Sequence, residues 1–316
     1  MRPIPDDDLA SCRLCPRRCG VDRRRKRGFC GGGALAAVNL WQLHHGEEPV
    51  LSGGQGSGTI FFAGCSLRCV YCQNYRISQL GWGAERRPEE LAAIMLELAA
   101  AGAHNVNLVT PSHFTPQVRA ALQLARARGL TLPVVWNSSA YEEPATLSSL
   151  EGLVDIYLPD LRYAVVAAAS RYSAAGDYPA VAQRAIREMH RQVGHLQLDD
   201  QGLARRGLLC RLLVLPGNVN RVDLALDWLA DLLGPRTHVS LMAQYYPAHQ
   251  AARFPEIDRP VTETEYHLVQ RHLEALGLPG FVQDLGSRPQ WTPDFRPQVG
   301  PASSLNPGHL PSLPTA

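Results

Sequence analysis

The stretch GSGTIFFAGCSLRCVYCQN, residues 56–74, sets an apolar, β-prone run directly ahead of Cys65, Cys69 and Cys72 in the spacing C-x3-C-x2-C. Thiolates this close in sequence can face one metal centre, and cysteine is the standard protein ligand of iron-sulfur clusters. A cubane has four irons. Three local cysteines hold three of them, so one iron stays open to a small molecule unless a distant fourth cysteine completes the set. An incomplete ligand set signals reactivity, by the logic that separates open catalytic zinc sites from closed structural ones. The alternative is a zinc knuckle finished by a distant histidine, although zinc ribbons favour C-x2-C pairs far apart in sequence.

Outward from that stretch, 316 residues with 45% hydrophobic content suffice for one barrel-sized domain with appendages. The formal net charge is +2, from 31 basic and 29 acidic residues. No global field therefore marks a binder of nucleic acid or of membrane surfaces. Seven of the eight cysteines fall in the first 72 residues, and the opening MRPIPDDDLA has no apolar signal region. This pattern predicts metal binding in a reducing, cytoplasmic compartment rather than secreted disulfides. No apolar run approaches the about 20 residues that cross a bilayer.

From Thr59 onward, short β-branched runs alternate with longer Ala/Leu-rich segments, the pattern of repeated βα units around a parallel sheet. Runs at 58–63, 105–109, 132–136, 154–158, 208–215 and 237–242 predict six strands. Pro88 followed by Glu89 and Glu90 suits a first helical turn, because proline presets φ and the acids complement the dipole. This helix is expected to reach about Gly102. Asn220 is expected to cap a helix over 221–233, and Thr262 with Glu265 forms a T-x-x-E capping box before a helix ending at Gly277. Six βα units are too few for a closed eight-stranded barrel, yet a partial barrel still presents its loops at the carboxyl ends of its strands. Cys65, Cys69 and Cys72 lie at such an end. From Ser287 the proline density opposes regular structure. The expected organisation is a cysteine-rich arm over 1–50, a barrel over 51–286 and a Pro-rich mobile tail over 287–316.

The motif resembles that of the radical S-adenosylmethionine (SAM) superfamily, where C-x3-C-x2-C follows the first barrel strand and an aromatic residue, here Tyr71, precedes the last cysteine. The segments CRLCPRRCGVDR (12–23), GSGTIFFAGCSLRCVYCQN (56–74), DIYLPDLRY (155–163) and LVLPGNVN (213–220) resemble the PflX-type branch, relatives of the pyruvate formate-lyase activating enzyme. The resemblance runs over 12–286. It implies an α/β fold of the partial (β/α)6 TIM-like barrel type and a [4Fe-4S] cluster on Cys65, Cys69 and Cys72. It also implies reductive cleavage of SAM to methionine and a 5'-deoxyadenosyl radical that takes hydrogen from a substrate. A low-potential flavodoxin or ferredoxin is implied as reductant. The nearest relatives act on a glycine of a partner protein, so a protein or peptide substrate is expected; radical modification of a small molecule is a second reading.

Further site residues are expected at later strand ends. The second strand ends at Thr110-Pro111-Ser112-His113, where many superfamily members carry a Gly-Gly-Glu segment for the SAM amino group; the glutamate is missing here. Ser112 and His113 either substitute for it or are satisfied loop residues. Asn137, with Ser138 and Ser139, stands where relatives contact SAM, or begins a capped helix. Asp160 matches the Asp of the activating enzymes' D-x-K segment, with Arg162 in place of the Lys, and touches SAM, a cation or a structural ion-pair partner. Arg211 sits inside an apolar strand and needs an anion or carboxylate, since an unpaired charge there costs several kcal/mol. The resemblance assigns it to SAM or substrate; a salt bridge is the structural alternative. Cys210 reads as an ordinary buried thiol.

Cys12, Cys15, Cys19 and Cys30 form a second set, C-x2-C-x3-C-x10-C, able to close a zinc site or bind another iron-sulfur cluster. Such a site would staple an otherwise coreless arm to the barrel. The basic run Arg23 to Arg27 between them reads as a solvated loop, with phosphate or an acidic partner as the other reading; QLHHGEEPV (42–50), which resembles the family's HxGEEP stretch, reads as a hairpin in which Glu47 and Glu48 have no catalytic role. A rival reading of the whole chain is a noncatalytic iron-sulfur or zinc protein with a structural, redox-sensing or RNA- or protein-binding role.

Overall fold

The structure, a computed structural model, describes residues 9–286 and 293–296. Its strands are β1 (Ala36–His44), β2 (Ser57–Phe62), β3 (Ala84–Arg86), β4 (Val106–Val109), β5 (Val134–Ser138), β6 (Ile156–Pro159), β7 (Gln197–Leu198), β8 (Ala204–Leu213), β9 (His238–Met242) and β10 (Gly280–Val282). The six expected strands are β2, β4, β5, β6, β8 and β9. They pair in parallel in that order, and β10 adds a parallel strand beside β9. Parallel neighbours need crossovers, which here run through helices such as Pro88–Ala100, Thr115–Ala127, Tyr178–Val193, Val222–Leu233 and Glu263–Leu276. The path from β10 to β3 does not close, so the fold is α/β with an open mixed sheet, a partial barrel.

Sheet pairing crosses the expected boundary at residue 50. β1 runs antiparallel to β2 from Val38 opposite Phe62 to His44 opposite Ser57, and β3 adds to its other edge. The carboxyl part of the arm is therefore sheet, not a coreless extension.

Alternation along the strands gives the sheet two different faces. Val134, Trp136, Tyr157, Leu208, Cys210, Val239 and Leu241 join the main core with the helices. Their alternates Val135, Ile156, Leu158 and Leu209 pack instead around Val50 and Leu51 of the short helix Pro49–Ser52. That helix plugs the inner face. The GEEP segment ahead of it lies in the connection of the expected hairpin, between antiparallel β1 and β2, and enters the barrel from there.

Local signals fare unevenly. Helix Pro88–Ala100 starts at the proline, with the Glu90 carboxylate accepting the Arg87 backbone N–H at 2.8 Å. Helix Glu263–Leu276 has the expected box at Thr262 and Glu265 and a left-handed Gly277 after it. Asn220, however, does not cap Val222–Leu233. The N-cap is Arg221, and Asn218 Oδ1 accepts the Val222 N–H at 2.8 Å. Asn220 instead donates to the carbonyls of Arg162 and Leu213, tying two strand ends together. Of the tail, residues 287–292 and 297–316 lie outside the described residues. Its segment 293–296 is not free, because Phe295 is buried with its ring 5.3 Å from that of Phe61.

Candidate functional site

The chain leaves β2 through Gly64, whose φ is 86°. A Cβ there would stand 2.4 Å from the Cys30 carbonyl oxygen, so only glycine fits. The loop that follows carries Cys65, Cys69 and Cys72 at the carboxyl edge of the sheet, all as free thiols. The Leu67 N–H lies 3.4 Å from Cys65 Sγ, and Ser78 Oγ lies 3.1 Å from Cys72 Sγ. Burial pushes the Cys65 thiol up to about 12 and the Cys72 thiol up to about 11. Such thiols stay neutral until a metal takes them as thiolates. Among the described residues, no three His, Cys, Asp or Glu side chains close around a single ion. Ligands of a cubane stand at its corners, farther apart than those of one ion, and three free thiols on one short loop suit that group.

Tyr71 is buried. Its hydroxyl lies 2.7 Å from that of Tyr163, which lies 2.6 Å from Ser173 Oγ, and Ser173 donates to Cys69 Sγ at 2.9 Å. The chain of hydroxyls aims one donor at a cysteine sulfur. Nothing local in the sequence marks Tyr163 or Ser173 for this part.

Asn137, Asp160 and Arg211 are brought together on the inner face. Arg211 donates from Nε to Asp160 Oδ1 at 2.7 Å, from Nη1 to Glu47 Oε2 at 3.0 Å and from Nη2 to Asn137 Oδ1 at 2.7 Å. Glu47 also accepts from Asn107 Nδ2 at 3.0 Å. The other Asp160 oxygen accepts Arg162 Nη2 at 2.7 Å. Glu47, given no catalytic role from sequence, is therefore part of this polar layer. Burial raises the pKa of Glu47 and of Glu48. Burial alone would lower that of Arg211, but the carboxylates of Asp160, Glu48 and Glu47 outweigh it and hold the guanidinium charged.

Arg162 connects this layer to the cysteines. Its guanidinium is held charged against burial chiefly by Asp160, and it lies within electrostatic reach of Cys65, Cys69 and Cys72. Its Nε is buried with no hydrogen-bond partner. A buried donor without an acceptor, beside three thiols, suits an anionic group placed there.

Ser112 and His113 serve their neighbours instead of this layer. His113 Nε2 lies 2.9 Å from the Ala63 carbonyl, and burial pushes the ring down to about 3, so it is neutral. Ser112 bonds the buried carboxyl of Glu142, which also accepts from Trp136 Nε1 at 2.8 Å and from Ser138 Oγ. Ahead of them Thr110 has φ of 60°, a left-handed conformation that a β-branched residue rarely adopts and that marks a constrained strand end.

Cys12, Cys15, Cys19 and Cys30 lie together against the cysteine loop, where the Cys65 N–H donates to the Cys30 carbonyl at 3.1 Å. The basic run between them is not wholly solvated. Arg23 is buried, donates to the His113 carbonyl and lies over the Phe114 ring at 5.2 Å.

The chain is similar to several known proteins. An uncharacterized protein of Methanocaldococcus jannaschii, MJ0674, is 31% identical over 281 residues, covering 86% of this chain and 75% of that protein. A second from the same organism, MJ0808, is 25% identical over 156 residues, 44% of this chain and 46% of that protein. Among solved structures, a radical SAM methyltransferase from Sphaerobacter thermophilus superposes with a TM-score of 0.49 at 16% identity, covering 72% of this chain and 66% of that one. HydG, a maturase of the [FeFe]-hydrogenase, gives 0.48 at 14% identity over 72% of this chain and 50% of that one. The family model of the radical SAM superfamily matches residues 59–163, from β2 through the three cysteines to Asp160, Arg162 and Tyr163. With its cysteine motif on the loop after β2 and that match continuing past the end of β6, the chain carries a radical SAM superfamily domain over residues 59–163.

Proposed function

We propose that this protein is an enzyme that reductively cleaves SAM and uses the product radical to abstract hydrogen from a protein or peptide, in the manner of glycyl-radical activating enzymes. A [4Fe-4S] cluster bound through Cys65, Cys69 and Cys72 would supply the electron that splits the SAM sulfonium into methionine and a 5'-deoxyadenosyl radical. The observation that carries the reading is the charged, partnerless Arg162 Nε beside three free thiols at the carboxyl edge of a parallel sheet.

The chain's own residues have separable parts in this reading. Arg162 binds an anionic group, a carboxylate of SAM being the fitting one, as a fixed fork of donors. Asp160 orients Arg162, and Arg211 with Glu47 and Asn137 fixes Asp160. The Tyr71–Tyr163–Ser173 hydroxyls hold one cysteine sulfur in place. A low-potential flavodoxin or ferredoxin fits the electron demand, in the cytoplasm. Among the described residues no helix is long and apolar enough to cross a membrane.

The test is product analysis. Anaerobic, cluster-loaded protein given a strong one-electron reductant and SAM is expected to yield 5'-deoxyadenosine and methionine, and Cys65→Ala to yield neither. A fully loaded cluster that leaves SAM intact would sink the reading and favour a noncatalytic metalloprotein.

A further inference from the structure

Residues 12–35 form turns but no helix or strand. Yet Cys12, Leu14, Cys15 and Cys30 are buried, and none of them belongs to the apolar clusters that hold the barrel. An irregular segment of this length needs an organiser other than a backbone ladder.

The four arm cysteines are where the segment closes on itself. The sulfurs of Cys19 and Cys30 both lie 3.5 Å from the Cβ position of Gly28. Cys12 and Cys19 are joined by a side-chain hydrogen bond, and Cys15 is in electrostatic reach of the other three. All four are free thiols. The sulfurs are gathered without closing about one ion, as is also true of Cys65, Cys69 and Cys72.

A shared local geometry links the two sets. The N–H two residues on points at the sulfur in Cys15 (from Arg17), Cys19 (from Val21) and Cys30 (from Gly32, at 3.4 Å). The same turn occurs at Cys65 (from Leu67) and Cys72 (from Asn74). A backbone donor aimed at sulfur stabilises a thiolate, as it does around metal-bound cysteines, and gives a neutral thiol little.

We propose that Cys12, Cys15, Cys19 and Cys30 hold a second metal centre, a closed four-thiolate site for zinc or an iron-sulfur cluster, which buttresses the loop carrying Cys65. The join is direct. The Cys30 carbonyl takes the Cys65 N–H. Arg17, from between Cys15 and Cys19, donates to the carbonyls of Ser66, Ser173 and Ala174 at 2.9, 3.3 and 2.6 Å. The proposal depends on the radical SAM reading only for the identity of the neighbouring cluster, not for the arm's own metal.

Metal and sulfide analysis of the anaerobic full chain tests it. A variant with Cys65, Cys69 and Cys72 all replaced by Ala is expected to retain one centre per chain. Adding Cys15→Ser and Cys30→Ser is expected to abolish it. Zinc alone would identify an ion, and iron with labile sulfide a cluster. A triple variant that is folded by circular dichroism, yet binds neither zinc nor iron after reconstitution, overturns the proposal. Should that variant not fold, the natural chain decides, and metal no greater than one cluster per chain overturns it. A chain that keeps both centres but leaves SAM uncleaved would defeat the enzymatic reading and leave this one standing.

Discussion

Arg211 is the residue on which the inner polar layer turns. Removing it leaves Asp160 and Glu47 facing each other's charge in a largely buried place, and breaking a buried pair from one side costs about 3–5 kcal/mol. Arg211→Ala is therefore expected to lower the urea unfolding free energy by about that much. Arg211→Lys should recover only part of it, because one ammonium cannot reproduce a planar fork reaching three acceptors. Arg162→Gln is expected to leave the fold intact and weaken SAM binding by roughly tenfold, about 1.4 kcal/mol, in equilibrium dialysis; unchanged binding would remove Arg162 from the site. Arg211 was legible because a charge inside an apolar strand demands a partner. Glu47 was not, because it lies 164 residues away in sequence and reaches the layer only through the plug at Pro49–Ser52.

At the scale of elements, Glu265 binds a helix start to its surroundings. Hydrogen bonds, first from Arg259 and then from the Thr262 and Gly217 backbones, hold its carboxyl at about 2, below its ordinary 4.5. A depressed folded pKa means that the unfolded chain binds the proton more tightly. The stabilisation is thus complete above about 4.5 and lost as pH falls toward about 2. Glu265→Gln is expected to flatten the pH dependence of urea unfolding in that window, with little slope left to lose above it. This box was readable because T-x-x-E acts within one helical turn. The Asn220 expectation failed because Asn218 occupies the capping geometry, while Asn220 faces carbonyls brought from β6 and β8 by the sheet.

Across the whole molecule, the arm and the barrel meet at the cysteine loop. Arg17→Ala removes three hydrogen bonds, to the Ser66 carbonyl of that loop and to the carbonyls of Ser173 and Ala174 at the carboxyl end of helix Val166–Ser173. A loss of about 1–3 kcal/mol is expected, together with poorer iron retention by Cys65, Cys69 and Cys72, read by iron content after gel filtration. Retention equal to the natural chain would show that the arm does not support the loop. Periodicity and motif spacing alone determined the six parallel strands, the cysteine loop at a strand end and the capped helix Glu263–Leu276, because each depends on neighbours within a few residues or on one alternating face. Which side chains meet was decided only by the tertiary structure: Glu47 beneath Arg211, Arg23 behind His113, Cys30 against Cys65. Those contacts come from curving the open sheet around a plug and folding the arm onto its edge, and separations of tens of residues leave no periodic trace in the chain.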